Sequence, residues 1–104
     1  MSGEPVTLIN VFTVASADQA RLIELLAEVT SRFVRHAPGF VSARLHRSLD
    51  GRKVTMVAQW RSAEDYEAMR RDPRPAPFLE QALAIAAFEP GMYEVVETFR
   101  RAAG

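Results

Sequence analysis

The chain has 104 residues, of which 48% are hydrophobic and 25% charged, a composition typical of one soluble globular domain. Thirteen basic and thirteen acidic side chains give zero formal net charge, which argues against a protein that neutralises nucleic-acid phosphates. The lack of cysteine excludes disulfides, thiolate metal sites and cysteine nucleophiles. With no secretory signal and no membrane span in the sequence, we expect a cytoplasmic protein with neither nucleic-acid nor membrane partners.

The first third of the chain predicts a strand followed by an amphipathic helix. β-Branched and aromatic residues fill the run Val6–Val14, which lacks Gly and Pro and therefore favours a strand. Ser16 and Gln19 have the spacing of a capping box, so we expect a helix to begin there. Leucines and valines recur at helical spacing through His36, and the Pro-Gly pair that follows predicts the end of the helix.

A β-hairpin is predicted next. Residues 40–48 and Lys53–Trp60 are two extended runs separated by a short polar segment. That segment contains Asp50 and Gly51, the dipeptide whose positive φ angles suit a tight type I′ turn. We therefore expect two antiparallel strands joined at this turn.

The last part of the chain predicts two short helices and a final strand. Ser62 with Asp65 three residues later has capping-box spacing for a helix through about residue 71. Pro75 and Pro77 restrict the backbone in a way that favours a third helix over residues 78–87. Pro90 with Gly91 is expected to end that helix. The alternation in residues 92–99 predicts the last strand.

This element order predicts an α+β, ferredoxin-like βαββαβ fold in a single domain of residues 1–104, with a core of about residues 6–99. Right-handed connections place the helices on one face of a four-stranded antiparallel sheet and leave the other face uncovered. We expect that second face to be apolar and to pack against a second copy, giving a homodimer. The side chains predicted on it include Ile9, Val11, Val41, Ala43, Leu45, Val57, Tyr93, Val95 and Phe99.

Residue patterns for metal or cofactor chemistry are missing from the sequence. His36 and His46 have no carboxylate at ligand spacing, so we expect no metal. No Gly-rich phosphate loop, nucleophile elbow or dinucleotide fingerprint is present, so we expect no bound nucleotide.

One segment carries a family resemblance. Residues 58–66 read Ala-Gln-Trp-Arg-Ser-Ala-Glu-Asp-Tyr, and they follow a Pro-Gly-Phe strand start and an Asp-Gly hairpin. This pattern resembles the antibiotic biosynthesis monooxygenase family of dimeric α+β barrels over nearly the whole chain. The resemblance implies a ligand cavity between the sheet and the helices of each monomer, with Trp60 packed there.

The same resemblance implies an activity. Family members that oxidise tricyclic anthrones to quinones match Trp60 and Tyr66, and they use dioxygen as co-substrate without flavin, haem or metal. A phenolic anthrone can lose a proton to give a carbanion that itself reduces dioxygen, so the protein need only orient it, exclude water and stabilise the anion. Trp60 and Tyr66 are then expected to be catalytic, although Trp60 alone could equally be a buried corner residue that fills core volume.

A difference from that subgroup concerns Met56, which stands where the subgroup has an Asn. Asn10, a polar residue in an otherwise apolar strand face, lines a cavity or is satisfied inside the core. We expect the cavity, where Asn10 replaces the missing donor and is a third catalytic residue. The other side chains expected to bind the small aromatic substrate are Met56, Phe12, Arg44, His46, Met69, Arg74 and Phe78.

Two other functions remain open at this point. The first is a non-catalytic, dimeric ligand-binding or accessory protein of the same fold. The second is haem binding or degradation, because haem-degrading relatives share Asn10 and Trp60. Those relatives ligate iron through a His on the later helix, and that position falls near Ala82 in a segment without histidine.

Overall fold

Strand β1 (Val6–Val14) lies in the interior of a four-stranded sheet in the computed structural model, which describes residues 4–103. The other strands are β2 (Phe40–Arg47), β3 (Lys53–Trp60) and β4 (Ala86–Tyr93), and the order across the sheet is β2-β3-β1-β4. All neighbouring strands are antiparallel. The predicted ferredoxin-like α+β fold is confirmed.

Three α-helices accompany the sheet: α1 (Gln19–Arg32), α2 (Ala63–Arg70) and α3 (Ala76–Ile85). Two 3-10 turns flank α1, at Ser16–Asp18 and Val34–His36. None of the helices within residues 4–103 has the length and hydrophobicity needed to cross a membrane.

The predicted capping box at the start of α1 is wrong. Ser16 begins a 3-10 turn, and no side chain caps either that turn or α1. Gln19 is instead buried, and its Nε2 donates to the backbone carbonyls of Ser48 at 3.2 Å and Lys53 at 3.0 Å. Because those carbonyls close the hairpin loop, the amide ties α1 to the β2–β3 turn rather than to its own N-terminus. The α-helix also ends at Arg32, four residues earlier than predicted.

The hairpin is confirmed, but its turn is not of type I′. That turn needs positive φ at both central residues, and only Gly51 has it, at 82°. The strands separate after Ser48, whose N–H donates to the Lys53 carbonyl at 2.9 Å, so the loop has four residues. The Ser48 hydroxyl and the Asp50 carboxylate accept the loop N–H groups, which explains the longer turn.

The last helix and strand begin earlier than predicted. Helix α3 begins at Ala76 and β4 at Ala86. Strand β4 therefore includes Pro90 and Gly91, which were expected to separate the helix from the strand. Proline is tolerated on an edge strand because its missing N–H need not face a neighbour. Residues 94–101 have no regular secondary structure, so the strand predicted over 92–99 is wrong beyond Tyr93.

The register also corrects which side chains face the helices. Paired residues share a face of the sheet, and Ala43 pairs with Ala58 while Leu45 pairs with Met56. Ala43 and Leu45 therefore face the helices, contrary to prediction. The open face carries an apolar centre of Ile9, Val11 and Val57, with Arg44 and His46 on the β2 side and Glu89 and Tyr93 on the β4 side.

The core between sheet and helices has two parts. The first is closed and apolar, and it consists of Phe12, Val14, Leu22, Leu25, Leu26, Val54 and Ala82. The second surrounds Leu8, Ala58 and Trp60, with partly buried side chains packed against it. Helix α2 has no buried residue, so it covers this second part only loosely.

Gly39 offers a test of how the strands are joined to α2. Its φ is +87°, and a Cβ there would collide with the Asp65 side chain, while a Cβ on Gly51 (φ +82°) would meet only the Ser16 Cβ at 3.3 Å. We expect Gly39→Ala to lower the free energy of unfolding by roughly 2–4 kcal/mol, because backbone strain adds to a displaced helix cap. The matched control Gly51→Ala is expected to cost about 1–2 kcal/mol from strain alone. Urea unfolding measures both, and equal losses would contradict the importance of the contact with Asp65.

Candidate active site

A strand-to-helix corner positions the two aromatic residues of the candidate site. Trp60 ends β3, and the next N–H, that of Arg61, donates to the Gly39 carbonyl at 2.7 Å. Ser62 then caps α2 as predicted, since its hydroxyl accepts the Asp65 N–H at 3.1 Å. The side chains of Arg61 and Ser62 both donate to the Asp65 carboxylate, at 2.8 and 3.0 Å. The Arg61 hydrogen bond, with that from Ser62, lowers the pKa of Asp65 and keeps the corner ion-paired.

Trp60 is buried at this corner, with 1% of its surface exposed. Its ring meets Phe40 edge-on at 5.4 Å between centroids and Tyr66 edge-on at 5.7 Å. These contacts fix the plane of the indole from two sides. Trp60 therefore fills core volume and also lines a cavity, and its catalytic role stays a prediction.

Tyr66 lies on the first turn of α2, half-buried, and its hydroxyl accepts a hydrogen bond from Arg70 Nη1 at 3.1 Å. The Arg70 guanidinium also lies 5.8 Å from the centre of the Tyr66 ring. Because Arg70 occupies the oxygen as donor, the phenolic hydrogen is left to donate elsewhere. A donor aimed by its neighbour in this way can stabilise negative charge on a bound molecule.

Asn10 contributes the one unsatisfied buried side-chain atom found in residues 4–103. Its Oδ1 is buried and has no hydrogen-bond partner. Asn10 faces the helices between Leu8 and Phe12, and it pairs directly with Met56 on β3. Buried amide oxygens are normally hydrogen-bonded, so an unpartnered one in a residue that lines a cavity is a cost to stability that a functional role of Asn10 would explain.

These side chains converge on one cavity of about 390 Å³ between the sheet and the helices. That volume lies in the range of about 300–1,000 Å³ usual for small-molecule sites. The wall is mainly apolar and aromatic. It is formed by Leu8, Asn10, Phe12, Val29, Thr30, Val34, Phe40, Ala43, Met56, Ala58, Trp60, Tyr66, Met69, Arg70, Asp72, Pro75, Ala76, Leu79, Leu83 and Phe88.

Six of the predicted site residues line this cavity: Asn10, Phe12, Met56, Trp60, Tyr66 and Met69. The other four lie elsewhere. Arg44 and His46 are exposed on the open face of the sheet, where the His46 ring approaches the Thr55 carbonyl at 3.4 Å. Phe78 packs against Phe33 and the closed core. Arg74 lies at the surface over Phe33, so none of the four reaches the cavity.

Several wall residues were missed at the sequence level. Phe88 stacks on Phe12, with ring centroids 4.7 Å apart, and it was missed because β4 begins earlier than expected. The alternation of Ala86, Phe88 and Pro90 was the available signal. Leu79 and Leu83 on α3 also line the cavity while remaining partly exposed.

Charge at the cavity is sparse. Asp72 is the one acid in the wall, and Arg74 binds it through Nε and Nη2 at 2.7–3.1 Å. That hydrogen-bonded pairing lowers the pKa of Asp72 and raises that of Arg74. Within residues 4–103 no group of three or more His, Asp or Glu side chains could hold a metal ion.

A second, more open groove of about 460 Å³ runs outside the sheet edge between α1 and β2. It shares Thr30, Phe40, Ala43 and Met56 with the cavity, and it contains neither Trp60 nor Tyr66. The less open cavity, which contains Asn10, Trp60 and Tyr66, is therefore the better candidate for chemistry.

Comparison with known proteins identifies the family of this chain. Residues 5–76 match the family model described as antibiotic biosynthesis monooxygenase. The chain is 44% identical over 93 residues to the tetracenomycin-F1 monooxygenase of Streptomyces glaucescens, covering 89% of this chain and 83% of that protein.

Solved structures resemble the fold over nearly its full length. A mutant of SnoaB, a cofactor-independent oxygenase from Streptomyces nogalater, superposes with a TM-score of 0.84 at 25% identity, covering 94% of this chain and 99% of that one. The monooxygenase from the ActVA-Orf6 gene of Streptomyces coelicolor, in complex with nanaomycin D, gives 0.81 at 27% identity, with 97% and 94% covered. The resemblance predicted from the segment between Trp60 and Tyr66 is thus confirmed, and this chain belongs to the antibiotic biosynthesis monooxygenase family.

Proposed function

We propose that the protein is a cofactor-independent monooxygenase that oxidises a phenolic, anthrone-like polycycle or a quinol to a quinone with dioxygen, in aromatic polyketide biosynthesis. One observation carries the proposal: Trp60, Tyr66 and Asn10, whose amide oxygen has no partner, all line one apolar, aromatic-walled cavity. The relatives named above, a tetracenomycin-F1 monooxygenase and a cofactor-independent oxygenase, support the same reaction class.

The chemistry needs little from the protein beyond position and charge stabilisation. A phenolic anthrone loses a proton from its central CH₂ and becomes a carbanion whose charge is delocalised onto the ring oxygen. The carbanion gives electrons to dioxygen and forms a carbon–oxygen bond, and the peroxide anion that results takes up a proton from solvent. Loss of water from the resulting hydroperoxide leaves one oxygen atom in the new carbonyl and the other in water.

The cavity wall suits these reaction steps because its polar groups can stabilise an oxyanion. Tyr66 has its phenolic hydrogen free, and the indole N–H of Trp60 is a second donor beside it. Both act in an apolar cavity, where a hydrogen bond to a developing charge is stronger than in water. The wall contains no histidine, and its one carboxylate is held by Arg74, so the substrate proton leaves through solvent at the cavity mouth.

Asn10 takes the place of the Asn that the anthrone-oxidising subgroup has at position 56. The two positions are directly opposite each other on β1 and β3, so their side chains begin about 5 Å apart on one face. An amide on β1 can therefore reach much of the space that an amide on β3 would reach. Because Asn10 lines the cavity, its amide is the polar group on β1 that can hydrogen-bond a phenolic oxygen of the substrate.

Dioxygen uptake tests the proposed reaction. We expect metal-free protein to consume dioxygen with a panel of anthrones and quinols, resistant to chelators, and Trp60→Phe to lower the rate. Tyr66→Phe is expected to lower kcat/KM roughly 10- to 100-fold, because it removes a hydrogen bond that strengthens in the transition state. An oxygen electrode measures the rates.

Tyr93→Phe is the matched control, since Tyr93 lies on the open face of the sheet and outside the cavity. Its rate is expected to equal that of the wild type. No uptake by the wild-type protein with any substrate of the panel would contradict the monooxygenase and favour a ligand-binding or accessory protein.

Replacement of Asn10 separates its effect on stability from its effect on activity. Asn10→Leu removes an unsatisfied buried amide oxygen, so the free energy of unfolding is expected to rise by about 1 kcal/mol. The same change is expected to lower kcat/KM about tenfold. In the double variant Asn10→Leu with Met56→Asn, the amide moves across the strand pair and part of the activity returns. Loss of stability in Asn10→Leu, or no recovery in the double variant, would contradict this role.

We further propose that the protein is a homodimer whose open sheet faces pack together. The centre of that face is apolar, and several large side chains at or beyond it are exposed, including Val41, Tyr93, Val95 and Phe99. Positive Arg44 lies at its β2 edge and negative Glu89 at its β4 edge. A two-fold axis parallel to the strands would place each Arg44 edge over the partner's Glu89 edge, which makes the face self-complementary.

Light scattering coupled to size-exclusion chromatography tests this dimer. We expect about twice the chain mass of 11.6 kDa for the wild type, and a shift to monomer for Ile9→Asp, which puts a charge in the centre of the open face. Leu49→Asp is the control, because Leu49 is fully exposed in the hairpin loop outside that face. A wild-type monomer would overturn the proposal.

A further inference from the structure

Among residues 4–103, Arg70 is the one arginine in the wall of the cavity. It lines the cavity mouth, and its one side-chain hydrogen bond goes to the neutral Tyr66 hydroxyl. The carboxylate pairs found in residues 4–103 occupy Arg21, Arg32, Arg61 and Arg74 instead. Arg70 is therefore a cation without an ionic partner beside an apolar cavity.

Asp72 is the acid that could have neutralised Arg70, since it lines the same mouth. Arg74 already occupies both of its carboxylate oxygens, and the Arg74 backbone N–H adds a further hydrogen bond at 3.0 Å. The Asp72–Arg74 pair carries no net charge, so the charge left at the mouth is that of Arg70. The lowered pKa of Asp72 fits an ion pair that is already complete.

The guanidinium has five N–H donors, and the structure uses one of them, through Nη1, on Tyr66. The remaining donors have the planar arrangement that binds a carboxylate through both oxygens. Arg70 is also exposed, so a carboxylate there can keep part of its hydration while the aromatic rings enter the cavity. Tyr66 connects the two ends, because it contacts Trp60 with its ring and Arg70 with its hydroxyl.

We propose that Arg70 is a specificity-determining residue that binds a carboxylate carried by the aromatic substrate at the cavity mouth. This inference rests on the proposed function for the location of the rings. It adds a substrate class: polycyclic aromatic acids in which the carboxylate stays at the mouth and the reacting ring lies toward Trp60 and Asn10. Binding of the carboxylate also holds Arg70 in place as the donor that orients Tyr66.

The experiment uses two ligands of nearly the same shape, the anionic anthraquinone-2-carboxylate and the neutral anthraquinone-2-carboxamide. The chain contains a single tryptophan, Trp60 in the cavity wall, so quenching of its fluorescence reports binding there. We expect the wild-type protein to bind the carboxylate about tenfold more tightly than the amide, with a preference that falls as salt is added. Arg70→Gln is expected to remove the preference by weakening only the carboxylate, and Arg70→Lys to retain part of it.

Arg71→Gln is the matched control, since Arg71 is the adjacent exposed arginine and does not line the cavity. It is expected to keep the full preference. Equal wild-type affinity for the two ligands, or an unchanged preference in Arg70→Gln, would overturn the role of Arg70 while leaving the aromatic cavity intact. Absence of quenching by either ligand would overturn both this inference and the placement of the substrate in the proposed function.

Discussion

Two alanines paired across β2 and β3 create the space in which the candidate chemistry takes place. Ala43 and Ala58 lie side by side on the helix face of the sheet, next to Leu8 on β1. At the other end of the sheet, Phe12, Val14 and Val54 on the strands meet the leucines of α1, and the core is closed. The small side chains leave a gap that the loosely packed α2 does not fill. The layer between the sheet and the helices is therefore closely packed at one end and contains the cavity at the other.

The corner after β3 determines what that gap can bind. Gly39 approaches Asp65 so closely that no side chain fits between them, and Arg61 ties both segments together. Trp60 and Tyr66 lie on either side of this hydrogen-bonded corner, so the angle between their rings is set by backbone contacts and a helix cap. A site built on such a corner holds its donors in place before substrate arrives, which is the condition for electrostatic preorganisation.

Much of the fold was predictable because local signals agree with the tertiary structure. The composition of β1, the hairpin and the Ser62 cap each correspond to an observed element. Pro90 was misleading because its effect depends on whether its strand is central or at an edge, which sequence does not show. The faces of Ala43 and Leu45 were recoverable, since a hairpin centred on Asp50 and Gly51 already pairs Leu45 with Met56. Within the site, the Trp60–Tyr66 spacing was visible, and Tyr66 and Arg70 are an i,i+4 pair of α2. The pairing of Arg74 with Asp72 instead depends on loop geometry.

The positions of Pro90 and of the β2 arginines also bear on how the protein behaves at high concentration. A sheet with two free edges is a template onto which further strands can add without limit, and that is a route to fibrils. Here β4 lacks one backbone donor at Pro90, and β2 bears charge at Arg44 and Arg47. Both edges therefore discourage open-ended growth. The chain can expose an apolar sheet face for a finite, closed assembly while resisting polymerisation along its strand edges.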